Sequence, residues 1–172
     1  MEIKHKALFS IFAVGFLLSS CFSIKYSFKG ASIPPEVKTV SVQFIDNKAR
    51  IVEPGLDQHF TEALKDYLQS NTNLFLVNGI GNVDFEGEIT TYDYTSPVAI
   101  TSTDVAAQNR FTIAMRVKFT NSVDPEQDFD ASFSRYRDYA SSISFESVKD
   151  DLTDEIMKEL LDDIFNKAFV NW

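Results

Sequence analysis

Cysteine and histidine are scarce in this sequence of 172 residues, and their scarcity excludes several kinds of chemistry. Cys21 is the single cysteine, so the chain has no intramolecular disulfide and must be stabilised by packing. The two histidines are His5 and His59, and a Ser-His-Asp triad in the folded domain would have to use His59. No G-x-S-x-G motif accompanies it. A lone histidine early in a predicted helix is typical of a surface residue rather than of a catalyst or a metal ligand.

Long apolar runs are also missing beyond the N-terminus. Residues 7–18 are almost wholly apolar, but at about 12 residues they are too short to span a bilayer as a helix. Lys4 and Lys6 precede this run and small residues follow it, a combination typical of a secretory signal peptide over residues 1–20. The run leads into LSSC, which resembles a bacterial lipobox, in which the thiol is acylated and cleavage falls before the cysteine. We therefore predict that Cys21 is a lipid anchor, and two acyl chains suffice for stable attachment.

The residues after the cysteine predict which membrane holds the anchor. Position 22 is Phe, whereas Asp at this position is the familiar inner-membrane retention signal of enteric bacteria. No acidic run follows, although such runs resemble the surface-export tags of Bacteroidota lipoproteins. The sequence therefore predicts the periplasmic leaflet of the outer membrane.

The composition excludes some partners. The chain has 16 basic and 25 acidic residues, a formal net charge of −9. Removal of residues 1–20 takes away Lys4, Lys6 and Glu2, so the net charge of the mature chain is −10. A charge of this sign argues against nonspecific binding to nucleic acid or to an anionic lipid surface. An anionic ligand would need a local basic site.

Periodicity divides the mature chain into a tether, residues 21–36, and a single domain, residues 37–172. Glycine and proline interrupt the tether, in which residues 26–28 can add a short edge strand. In the domain, apolar residues alternate with a period of two in strands and recur every three or four residues in helices. The predicted strands are 37–46, 74–77, 83–90, 110–120 and 128–139, and the predicted helices run from 56 to about 71 and from 148 to about 168.

This order predicts an α+β fold with two helices packed on one face of a mainly antiparallel four- to five-stranded sheet. We expect the other face of the sheet to be polar and partly open. In the first strand, Val40, Val42 and Phe44 should form the buried side. Strict alternation in the last strand puts Arg135 on its buried side, so a bulge or an edge position is expected nearby. Ser147 is a plausible N-cap of the last helix.

Carboxylates are abundant on the last helix, and paired carboxylates can support acid–base chemistry or bind calcium. Here they lie mainly on the predicted solvent side of an amphipathic helix, so a solvated surface is the preferred interpretation. A turn with the sequence GIG lacks the rest of a phosphate-binding loop. We expect no enzyme activity, no cofactor and no metal.

Basic residues form the remaining polar pattern. Arg110, Arg116 and Lys118 project from one face of a predicted strand, and Arg135 and Arg137 lie on the next strand. One interpretation is a solubilising sheet face paired with acidic side chains such as Glu86 and Glu88. The other is a phosphate or carboxylate site, because the forked guanidinium group of arginine forms charge-assisted hydrogen bonds with such groups.

Several segments resemble lipoproteins of the LptE family from Bacteroidota. They are SIPPEVKTV (32–40), FTEALKDYLQ (60–69), DFEGEIT (84–90), SPVAIT (96–101), NRFTI (109–113), VKFTN (117–121), FSRY (133–136) and DIFNKAFVNW (163–172). The resemblance implies a non-enzymatic outer-membrane lipoprotein that binds the β-barrel protein LptD, occupies its lumen as a plug and assists its assembly. It also implies a role in delivering lipopolysaccharide to the outer leaflet. Well-characterised members are distant in sequence, so the basic residues above are candidate lipopolysaccharide contacts by chemistry alone.

Two alternatives remain open. An accessory lipoprotein of an intermembrane lipid or ABC transport complex could share the lipobox and a small α+β domain.

The segment 95–109 contains one charged residue, Asp104. It is either a passive connection or a loop that inserts against the barrel wall, in which case Val98 and Ala106 would contact the partner.

Overall fold

The structure is a computed structural model that describes residues 33–98 and 107–170. The predicted anchor Cys21, the possible strand at 26–28 and Ala106 lie outside these residues. The elements, in chain order, are β1 (Thr39–Val42), β2 (Asp46–Asn47), α1 (Leu56–Asn71), β3 (Phe75–Leu76), β4 (Val83–Pro97), β5 (Gln108–Asn121), β6 (Phe129–Ala140) and α2 (Lys149–Phe169). Short 3₁₀ turns precede β6 and α2.

The strands form one sheet in the order β3-β1-β4-β5-β6, and β2 pairs with β4 beyond the end of β1. β4, β5 and β6 are antiparallel neighbours, whereas β1 is parallel to both β3 and β4. The sheet is therefore mixed, because α1 crosses over between β1 and β3 and returns the chain in the same direction. The predicted α+β fold with two helices is confirmed.

The core lies between the sheet and the helix layer. Alternate residues of β5 from Phe111 to Phe119 are almost completely buried, and so are Ile156, Leu160 and Ile164 of α2. The ring of Phe119 lies 5.0 Å from that of Phe85 and 5.9 Å from that of Phe169, measured between ring centroids. The period-two and period-four patterns of the sequence thus meet in a single apolar layer.

The first strand differs from its prediction. β1 ends at Val42, Phe44 is 58% exposed, and Ile45 is 1% exposed. The backbone changes phase after β1 because β2 begins a separate pairing with β4, and the Ile45 amide donates to the Thr61 hydroxyl of α1 at 3.0 Å. The predicted burial of Phe44 is therefore wrong.

Two element ends also differ. β4 continues to Pro97, and register shifts on either side of Tyr92 keep that side chain in the core. Ser147 is not the N-cap of α2: its hydroxyl donates to the carbonyl of Ser144 at 2.7 Å, and the helix begins after Val148. Bulges and local side-chain bonds of this kind leave no periodic signal in a sequence.

The connection from β3 to β4 packs closely on the backbone of β1. The Gly81 amide donates to the Ser41 hydroxyl at 2.8 Å, and the Asn82 side-chain oxygen accepts from the amides of Lys38 and Thr39 at 3.0 and 3.1 Å. A Cβ atom on Gly81 would lie 3.0–3.1 Å from backbone atoms of β1. A side chain at this position would force the β1 backbone to move by a few tenths of an ångström, so glycine fits it best.

Candidate functional site

The face of the sheet opposite the helices carries the first group of predicted basic residues. Arg110, Arg116 and Lys118 alternate with buried residues of β5, so all three side chains point to this face, which we call the open face. Thr112 and Ala114 lie between them. The predicted polar character of the open face is confirmed.

Each of the three cations is paired with a carboxylate of a neighbouring strand. Arg116 forms two hydrogen bonds with Asp130 of β6, at 2.7 and 2.6 Å, and Lys118 contacts Glu86 of β4 at 3.2 Å. Arg110 forms two hydrogen bonds with Asp138, at 2.7 and 2.8 Å. The register of the strands places these partners next to each other, so the open face has ordered pairs of opposite charge.

A shallow cleft lies among these pairs. Its volume is about 240 Å³, and its lining residues are Asp46, Glu86, Gly87, Glu88, Arg116, Lys118 and Asp130. The hydrogen bonds that Arg116 donates to Asp130 lower the pKa of Asp130 and raise the pKa of Arg116. An anionic ligand that enters this cleft must therefore compete with carboxylates that already hold the cations.

Arg135 and Arg137 lie on the other face of the sheet. They pair in register with Ile113 and Phe111, whose side chains point to the helices. No register shift occurs along β6, and β6 ends the sheet order, so the predicted edge position is confirmed. The five predicted basic residues thus form two groups on opposite faces rather than one patch.

The helix-side arginines join β6 to α2. Arg135 binds Asp163 through two hydrogen bonds, at 2.7 and 2.6 Å. Arg137 binds Glu155 at 2.7 Å and Glu159 at 2.6 Å. These three acidic residues are four apart on α2, so they form one stripe along the helix. The interpretation of the α2 carboxylates as a solvated surface misses this stripe. Four residues of a helix and two residues of a strand cover similar lengths, so carboxylates four apart on α2 can lie opposite arginines two apart on β6.

This arrangement predicts how stability depends on pH. Bonds from Arg137 lower the pKa of Glu159, and bonds from arginines also lower the pKa of Asp130 and Asp138, below ordinary values of 4.5 and 3.8. A carboxyl group whose folded pKa is depressed stabilises the fold above its unfolded pKa, and that contribution is lost as the pH falls through the folded pKa. We expect the urea midpoint to be steady down to about pH 5 and to fall below about pH 4.

Glu159→Gln removes one of these groups, so its urea midpoint should change less between neutral and acid pH than that of the wild type. Glu62→Gln is the matched control on α1, where the pair with Lys65 is exposed. It should keep the acid dependence of the wild type. An acid dependence of Glu159→Gln equal to that of the wild type would contradict the assignment of this group.

The remaining predicted site residues can be placed as follows. Val98 is half-buried at the end of β4, where its amide donates to the Gln108 carbonyl at 2.9 Å. His59 is exposed on α1.

Within residues 33–98 and 107–170, no group of three or more His, Cys, Asp or Glu side chains could hold a metal ion. Neither described helix is long and apolar enough to cross a membrane.

Solved structures with the same architecture come from several bacteria. The fold is similar to a minor lipoprotein from Acinetobacter baumannii, with a TM-score of 0.50 and 13% identity over 77% of this chain and 92% of that one. It is similar to a hypothetical protein from Chlamydia trachomatis, with a TM-score of 0.53 and 10% identity over 78% of this chain and 99% of that one. No curated protein has a matching sequence.

These features define a class: a two-layer α+β domain in which two helices cover one face of a mixed sheet and ion pairs cover the other. A family model described as LptE, lipopolysaccharide-assembly, matches residues 37–168. The chain belongs to the LptE family. Membership places it among the lipoproteins of lipopolysaccharide assembly and cell-envelope biogenesis.

Proposed function

We propose that this chain is a non-enzymatic outer-membrane lipoprotein, anchored on the periplasmic side through acylated Cys21. It occupies the lumen of an LptD-like β-barrel as a plug and supports both barrel assembly and lipopolysaccharide transport. The observation that carries the proposal is the family match over residues 37–168. The anchor rests on the lipobox of the sequence.

The described surface is compatible with a plug. The interior of a wide barrel is polar, and the open face presents paired charges instead of a broad apolar area. Paired charges need less water around them than isolated charges, since each ion already has a partner. A surface of this kind can lie against a polar barrel wall.

The partner is tested by photo-crosslinking in membranes. A benzophenone amino acid at Val98 should capture a large outer-membrane barrel, which mass spectrometry identifies. The same probe at Lys158, on the outer side of α2, is the comparison position. If the captured protein is a component of an intermembrane lipid or ABC transporter, the plug proposal is wrong and the alternative function is favoured. If Val98 captures nothing while α2 captures the barrel, the 95–109 segment is a connector.

The anchor has its own test. Cys21→Ala should abolish incorporation of labelled palmitate and leave precursor or mislocalised protein, because no described helix can hold the chain in a membrane. Cys21→Ser is a second variant, which lacks the sulfur atom to which the lipid is attached, and it should behave in the same way. Palmitate in either variant would contradict the lipobox interpretation.

Lipopolysaccharide binding is proposed for the open-face cations. Arg116 and Lys118 are two apart on β5, about 7 Å along the strand, which suits one phosphate or two neighbouring acidic groups. The double variant Arg116→Ala/Lys118→Ser should bind lipopolysaccharide more weakly and with less dependence on salt. Both ion pairs are exposed, so thermal unfolding should change little. The measurement is binding at two ionic strengths with melting curves alongside.

Two further variants sharpen this test. Arg50→Ala/Lys158→Ser removes the same charge from exposed positions elsewhere and should bind like the wild type. Asp130→Asn removes the carboxylate that competes for Arg116 and should bind more tightly. Unchanged binding in a folded Arg116→Ala/Lys118→Ser protein would reject this site.

A further inference from the structure

A cavity lies where the two helices begin, away from the open face. Its volume is about 300 Å³, and its walls are the loop that leads into α1, the first turns of α2, and Tyr92 of β4. Leu56 and Tyr92 are buried parts of this lining, whereas His59, Asp150 and Asp154 are exposed. The cavity therefore has an apolar inner part and a polar rim, a combination typical of sites for small molecules.

One buried polar group in this lining has no partner. Tyr92 is 2% exposed, and its hydroxyl group has no hydrogen-bond partner in the described part of the chain. Burial, followed by the charge of Glu53, raises the pKa of Tyr92 to about 12, so the hydroxyl stays protonated at neutral pH. A buried hydroxyl group without a bond destabilises a fold, and a phenylalanine would fill the same space without this cost. The hydroxyl therefore points to a ligand that bonds with it.

The charged groups of the lining favour a cation. Lys149 is already paired with two carboxylates, Glu53 at 2.9 Å and Glu146 at 3.4 Å. Asp150 and Asp154 have no ion-pair partner among the described residues. Three carboxylates and one ammonium group line the cavity, so an anionic ligand would meet more repulsion than attraction.

The helix ends do not reverse this preference. The dipole of a helix puts a partial positive charge at its first turn, which favours anions. The first turn of α1 contains Asp57, and that of α2 contains Asp150 and Asp151, so each helix supplies its own compensating charge. Within the described residues, no group of three or more His, Cys, Asp or Glu side chains could hold a metal ion. An organic cation is therefore the better fit.

We propose that this cavity binds a small hydroxylated amine, whose ammonium group is held by Asp150 and Asp154 and whose hydroxyl group bonds with Tyr92. A ligand hydroxyl can both donate and accept, as the protonated tyrosine can. Thr153 lines the same wall, is 8% exposed and lies close to the Tyr92 hydroxyl, so it can bond with the same ligand. A bound amine would join the beginnings of α1 and α2. The inference does not depend on acylation or on a barrel partner.

The test measures the binding of serinol, the analogue of glycerol with an amine on its central carbon, to the full chain. The protein is purified in a nonionic detergent, and saturation-transfer NMR follows a titration at neutral pH. We expect saturable binding of serinol. Glycerol lacks the amine and isopropylamine lacks both hydroxyl groups, so each should bind several-fold more weakly. The proposal is overturned if serinol shows no saturable binding, or if either analogue binds as tightly as serinol.

Tyr92→Phe removes only the hydroxyl group. It should weaken serinol binding about threefold to tenfold, the effect of one hydrogen bond. Its melting temperature should equal or exceed that of the wild type, because a buried group without a partner has been removed. Tyr94→Phe is the matched control, since Tyr94 lies two residues further along β4 and does not line the cavity. It should bind serinol like the wild type.

Two results with Tyr92→Phe would overturn the proposal. A melting temperature below that of the wild type would show that the hydroxyl is already bonded within the fold. Unchanged serinol binding would show that the hydroxyl does not contact the ligand.

Asp150→Asn tests the rim of the cavity. It should weaken serinol binding about twofold to fivefold, the effect of one exposed ion pair, and leave glycerol binding unchanged. Asp151→Asn is its matched control, because it removes the same charge from the same helix turn at a residue that does not line the cavity. It should bind serinol like the wild type. An equal loss in both variants would show that serinol responds only to the overall charge of the protein, and the site would be rejected.

Discussion

Ile156→Asp should unfold the domain or destabilise it strongly. Ile156 has no exposed surface, and its side chain lies in the middle of the α2 face that covers the sheet. An ionised carboxylate there would be buried without a partner, at a cost of several kcal/mol. The total stability of a domain of this size is about 5–15 kcal/mol, so a large part of it would be lost. Urea unfolding followed by circular dichroism measures the effect.

Lys158→Asp is the matched control for this prediction. Lys158 is on the same helix but exposed, so the substitution introduces the same side chain without burying it. Its urea midpoint should stay close to that of the wild type. An Ile156→Asp protein that unfolds at the wild-type midpoint would show that the helix does not bury this face.

Gly81→Ala should destabilise the domain by about 1–3 kcal/mol through a clash rather than through lost contacts. The added Cβ would lie 3.0 Å from the Val40 carbonyl carbon and 3.1 Å from the Ser41 amide nitrogen. These are backbone atoms of an interior strand, so they cannot move aside without disturbing its pairing with β4. Thermal melting and the urea midpoint measure the loss.

Ile80→Ala tests whether the effect is specific to this position. Ile80 is adjacent in the same connection but 84% exposed, so its truncation should leave stability within about 0.5 kcal/mol. A Gly81→Ala protein as stable as the wild type would mean that the connection can lift away from β1. The bonds from Gly81 and Asn82 to β1 argue against such freedom.

Periodicity predicted the elements that are long and have one buried side. β5 and α2 follow their patterns along most of their length, since their apolar positions contribute to a single continuous core. The prediction is wrong for Phe44, which is exposed while Ile45 is buried. The sequence pattern does not show which of two neighbouring apolar residues points inward. Here the break between the β1 and β2 pairings with β4 turns Ile45 inward.

The basic residues and part of their grouping could be found in the sequence, but their partners could not. Arg116 and Lys118 share a face because they are two apart on one strand. Strict alternation already put Arg135 on the buried side of the last strand, and Arg137 follows it two residues later, opposite Phe111. The carboxylate partners come from other elements, so their identity depends on the folded structure and not on local sequence.

β1 lies between β3 and β4, so the first strand of the described residues fills the interior of the sheet instead of an edge. β4, β5 and β6 follow one another through hairpins, whereas Val40 meets Val83 only after α1 and β3 have intervened. The entropy lost on closing a loop grows with its length, and contacts between distant residues form late in folding. We expect the β4–β6 meander to collapse first and β1 to be inserted afterwards. The strand nearest the N-terminus is then the last of the described strands to become fixed, so a chain held through the proposed anchor at Cys21 would complete its folding beside the membrane surface.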